Sequence, residues 1–242
     1  CAGLALFSSL PMTLMNSVTV DLPFLLVAIA LLWFPRHWLR LGSVFKRRRS
    51  ANAARAAKEP WNNREQGDPR VNFGAEFSKF RNYVDLLRAG AGSLALFGGL
   101  GITSCLGVAE GAPGNTGYAV IGLRALILLI GLLVQTVRFE NNHLTFYPPI
   151  FYLAGLTVAL SGYRAAGFAF VLIWAMSPVF GGALGLLTIY AALVVGFGYV
   201  FNGGVSLSSA LAGFLCFLPG LLSMLANRPL IVLSRKGSLP AR

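Results

Sequence analysis

From Ile150 to Phe201 the chain is apolar with two interruptions only, "SGYRAAG" and "SPVFGG". A run of this length has no polar face to offer water, so it predicts helices that cross a membrane, where a helix needs about 20 apolar residues and must satisfy its own backbone. Composition agrees: 56% of the chain is hydrophobic and 12% charged, against about 25% charged in soluble domains. The sequence predicts an all-α polytopic transmembrane bundle in one domain, 1–242, with no second large soluble unit once the spans are placed.

About seven spans can be laid out, at 18–34, 89–109, 118–137, 147–162, 165–178, 180–201 and 205–226. The fourth and fifth are short, which suits a tilted hairpin or a re-entrant pair buried among other helices. The chain begins at Cys1 rather than Met. Residues 2–15, "AGLALFSSLPMTLM", resemble the tail of a further upstream span more than the polar tether of a lipoprotein. A fragment is therefore the expectation.

One block stands apart. Between Arg36 and Arg88 lie thirteen of the twenty Lys and Arg residues, and the net charge of the chain is +12. Concentrated in one loop between two spans, this charge predicts a cytosolic 35–88 segment by the positive-inside rule. No nucleic-acid-binding motif accompanies it, so no nucleic-acid partner is expected. The cluster Lys46, Arg47, Arg48, Arg49 is expected against anionic lipid, each charge being worth about 1 kcal/mol there. Phe73, Phe77, Phe80, Val84 and Leu87 recur at spacings of 4, 3, 4 and 3, which predicts an amphipathic helix over about 72–88, lying in the membrane plane or offering a docking face. Seven spans with the first entering from outside return the C-terminus to the cytosol, where Arg228, Arg235, Lys236 and Arg242 fit the same rule. The predicted location is the inner (plasma) membrane, multi-pass.

Chemistry is sparse. Asp21, Glu59, Glu65, Asp68, Glu76, Asp85, Glu110 and Glu140 all fall in expected loops or at span ends, which argues against a transporter built on a buried carboxylate. Arg124 is the one charge expected inside a span. It either snorkels to the headgroups or joins Arg164 of the outer "SGYRAAG" loop to hold a lipid phosphate or pyrophosphate. His37 and His143 have no ligand-spaced neighbours, and Cys1, Cys105 and Cys216 form no CxxC, so neither metal nor cofactor is predicted. No nucleophile, zinc or nucleotide motif lies in the spans, and "GGLGITS" lacks the last glycine of a dinucleotide fingerprint. Gly181 and Gly185, and Gly107 and Gly111, are spaced for close helix packing. A non-catalytic membrane component that packs with partner subunits, copies of itself or anionic lipids is the first expectation. A lipid-linked glycan or isoprenoid-handling protein, and a transporter or channel broken at Pro178 or Gly203, are the alternatives.

Overall fold

The structure is a computed structural model that describes residues 18–35, 77, 79–109, 115–140, 143–180, 182–204, 206–226 and 230. The cluster Lys46 to Arg49, Phe73, the upstream apolar segment and the basic C-terminus lie outside the described residues.

Among the described residues seven α-helices dominate: α1 (Leu22–Trp33), α2 (Phe80–Phe97), α3 (Thr116–Thr136), α4 (Ile150–Ser161), α5 (Tyr163–Ala175), α6 (Ala183–Asn202) and α7 (Leu207–Leu225). Two short antiparallel ladders accompany them, β1 (Val18–Val20) with β2 (Leu106–Val108) and β3 (Val137–Glu140) with β4 (His143–Phe146). The all-α expectation thus holds as a mostly helical chain. Among the described residues three helices, α3, α6 and α7, are long and apolar enough to cross a membrane. At 12 residues each, α1 and α4 reach only about 18 Å, short of a hydrocarbon core of about 30 Å.

Local chemistry explains where the helices stop and start. Asp21 caps α1 by accepting from the Phe24 amide, with Pro23 in the first turn, and Pro35 closes the other end. Ser206 caps α7 in the same way through the Ser209 amide. Gly98, Gly99, Leu100 and Gly101 all have positive φ, so "GGLG" ends α2 in a left-handed turn instead of continuing it. This corrects the expected span at 89–109: the helix starts nine residues earlier, at Phe80, and ends at Phe97. The chain then runs through Cys105, whose carbonyl accepts from the Asp21 amide at 2.9 Å, into β2.

The helices alternate in direction. Arg88 of α2 and Gln135 of α3 meet the C-terminal end of α1. Phe151 of α4 and Trp174 of α5 meet around Phe77, and Leu230, beyond α7, bridges to Phe146. These contacts define one end of the bundle, the Arg88 end. At the opposite, Arg164 end, the Asn202 amide of α6 donates to the Ser161 carbonyl of α4 at 3.2 Å, and Gly198 approaches Ser209 of α7.

Helix α4 is the axis. Ten of its twelve residues are buried, and it packs against α2, α5, α6 and α7. A helix apolar on all sides belongs in such a centre. Its closest approach is to α2, where a Cβ on Gly155 would stand 2.8 Å from both Ala89 Cβ and Gly90 N. Of the expected glycine pairs, Gly111 and Gly181 lie outside the described residues, while Gly107 lies in β2 against Thr19 and Gly185 has ordinary room.

The distribution of polarity is inverted relative to a soluble protein. Phe24, Leu26, Phe80, Leu87, Phe168, Val171, Val200 and Leu225 are exposed, whereas Asn82, Asp85, Arg88, Gln135, Thr136 and Thr157 are buried. Exposed apolar surface on this scale needs an apolar surrounding. Helix α2 shows the inversion most directly. Its polar face, expected to meet water, is buried through Asn82, Asp85, Arg88, Gly92 and Ser93, while Phe80 (79% exposed) and Leu87 (69%) face out and Val84 is half-buried. Phe77 departs from them because the chain is extended at Lys79. Its ring lies 5.1 Å from Phe151 and 5.0 Å from Trp174, inside the bundle.

Candidate functional site

The buried polar face of α2 meets the end of α1. A helix leaves its last carbonyls without partners, and within a membrane no water can supply them. Here three side chains do so. One η-nitrogen of Arg88 donates to the Phe34 carbonyl. Gln135 Nε2 donates to the same oxygen at 2.9 Å, and the Tyr152 hydroxyl donates to the Leu32 carbonyl at 2.9 Å. The other η-nitrogen of Arg88 donates to Gln135 Oε1 at 2.8 Å and forms an ion pair with Asp85 Oδ1 at 2.8 Å. Arg88 also lies over the Tyr152 ring, 5.5 Å from its centroid. Asp85 and Arg88 are 2% and 6% exposed.

Four helices therefore converge on one polar knot. A guanidinium at a helix C-terminus is favoured by the helix dipole as well as by hydrogen bonding. Its fork fits the two acceptors that α1 and Gln135 present. The pair is costly to bury unless its partners are well placed, and this one has two side chains and a backbone carbonyl arranged around it. Arg88 Nε is buried without a hydrogen bond among the described residues.

Asp85 corrects the expectation that every acid sits in a loop or at a span end: it is in α2 and buried. Neither Arg88 nor Gln135 and Tyr152 stood out in the sequence. A signal was present, because Asn82, Asp85, Ala89, Gly92 and Leu96 recur at helical spacing. The polar face of the basic-loop end thus continues, on the same side of the helix, into a small-residue face inside the apolar segment.

Arg124 sits at the opposite end of the bundle, in α3. It does not reach free toward headgroups. One η-nitrogen donates to the Leu106 carbonyl and to Ser104 Oγ, the latter at 3.1 Å, and the guanidinium lies 5.2 Å from the Phe97 ring centroid. It clasps the segment that leaves α2. Arg164, in the first turn of α5, is exposed, and its Nε donates to the Tyr163 hydroxyl at 3.1 Å. The two guanidinium groups expected to cooperate have different neighbours: Ser104, Leu106 and Phe97 for Arg124, and Tyr163 for Arg164.

Among the described residues no three His, Cys, Asp or Glu side chains come together as a metal site. Cys105 and Cys216 are buried and unpaired. No family model, curated protein or solved structure matches the chain.

Proposed function

We propose that this chain is a seven-crossing integral protein of a bacterial-type inner membrane, with its basic 35–88 segment and its C-terminus in the cytosol, acting as a non-catalytic component. In this reading it packs with partner subunits, a second copy or lipids. The observation that carries it is the inversion of α2: charged side chains closed on one another inside, aromatic and aliphatic side chains outside. The alternating helix directions support an odd number of crossings, and the thirteen cations between Arg36 and Arg88 support the orientation. The Arg88 knot supports a structural role, since its donors are directed to the main chain of α1. Short α1, α4 and α5 would cross as parts of longer, locally thinned or irregular segments.

Cysteine accessibility tests the orientation. Single cysteines placed at Ser50 and at Ser206, in a chain freed of its own cysteines, should react with an impermeant maleimide from opposite sides of sealed vesicles. Labelling of both from one side would overturn the seven-crossing arrangement.

A transporter or channel is the second reading, and buried Asp85 favours it, because an intramembrane carboxylate is the usual carrier of coupled cations. Solute- or proton-driven flux in proteoliposomes that disappears in Asp85→Asn would promote it over the structural role. Equal flux from both proteins and from empty vesicles would remove it.

A further inference from the structure

Between Ile150 and Ala226, the stretch that forms α4 to α7, Arg164 is the one charged side chain. No carboxylate within that half of the bundle is available to neutralise it. Among the described residues it touches Tyr163 alone, through the hydrogen bond and a ring contact at 5.6 Å, so its remaining guanidinium donors are open. One helical turn further along α5, on the same face, stands Phe168. Its ring stacks on Phe201 of α6 at 5.4 Å, and Phe197 completes the group at 6.1 Å from Phe168 and 6.0 Å from Phe201. Phe168 and Phe201 are 58% and 42% exposed. A cation at the rim and an aromatic shelf below it, both on the outward face, match in order the charged head and apolar tail of a lipid.

We infer that this face binds an acidic phospholipid, its phosphate on Arg164 and an acyl chain along Phe168, Phe197 and Phe201. The inference rests on the membrane reading above, which places the Arg164 end at the outer headgroup level. A guanidinium suits the occupant because its planar fork engages phosphate oxygens in pairs, and its weak hydration lowers the cost of leaving water. Tyr163 holds the stem of the fork and leaves its outer edge open. The shelf is formed before the lipid arrives, since two helices fix the three rings, so little ordering cost attends binding. The site differs from a paired-arginine site in using one cation and a defined apolar track.

The test is native mass spectrometry of the full chain in detergent, titrated with phosphatidylglycerol and phosphatidylcholine of matched acyl chains. The wild-type protein should retain phosphatidylglycerol several-fold more than phosphatidylcholine. Arg164→Gln should erase that preference, Arg164→Lys should keep part of it, and Phe201→Ala should lower retention of both lipids. An unchanged preference in Arg164→Gln sinks the proposal, as does displacement of phosphatidylglycerol by millimolar inorganic phosphate, which would make this a site for free anions. Resistance of the protein to alkaline carbonate extraction is measured alongside. Extraction into the soluble fraction would overturn the membrane reading itself, whereas retention with no lipid preference overturns the site alone.

Discussion

Arg88 and Arg164 carry the same guanidinium at opposite ends of one bundle, and their surroundings have almost nothing in common. Arg88 is enclosed by Asp85, Gln135, Tyr152 and the Phe34 carbonyl, drawn from α1, α2, α3 and α4. Arg164 stands exposed beside its own neighbour Tyr163. The first cation is a component of the fold, because its removal would leave the buried carboxylate of Asp85 without its ion-pair partner and the Phe34 carbonyl without one of its donors. The second adds little to the fold and is available to something outside it. Position along the bundle axis does not make the difference; the supply of internal acceptors does.

The sharpest way to break the contrast is Arg88→Leu. Leaving Asp85 buried without its partner should destabilise the protein by about 3–5 kcal/mol, read as a large fall in melting temperature in detergent. Asp85→Leu combined with Arg88→Leu should recover part of the loss, since an apolar pair strands no charge. Equal stability of the single variant and the wild type would show that the knot holds nothing together. Next in size is Gly155→Leu, which touches neither cation. Its side chain would drive into Ala89 and Gly90 of α2, and overpacking of this kind should cost at least about 1–3 kcal/mol. A neutral outcome would mean that α2 and α4 can part without loss. The smallest effect is expected from Arg164→Gln, whose melting temperature should match the wild type. A fall comparable to that of Arg88→Leu would show that Arg164 is built into the fold and would erase the distinction.

The sequence made the helical, apolar character of the chain legible, together with most of its punctuation. Pro35, Gly162 and Gly203 each mark a helix end in the structure. Less legible was which side of α2 faces inward. The spacing of Phe80, Val84 and Leu87 defines an apolar face in either solvent, but only the surroundings decide whether that face or its opposite is buried. Asp85 and Arg88, three residues apart, look like a surface pair in water. Next to unpartnered carbonyls of α1 they are interior groups, and nothing in the sequence near residue 85 announces residues 32 and 34. The end of α2 was hidden for a different reason: "GGLGITSCLG" is apolar enough to extend a span, while the left-handed conformations of Gly98 to Gly101 forbid it. Arg164 was singled out from the sequence, but its aromatic shelf was not, because Phe168 and Phe201 are brought together only by the antiparallel packing of α5 and α6.

The capped end of α1 also sets an order of assembly. Its Phe34 carbonyl accepts from residues 54 and 101 positions later in the chain, and its Leu32 carbonyl from one 120 positions later. While the chain is being synthesised, α1 is the first described helix to emerge, and its end is completed only after α4 has been made. Until Tyr152 arrives the Leu32 carbonyl lacks that donor, so the end of α1 is closed only by a helix made much later.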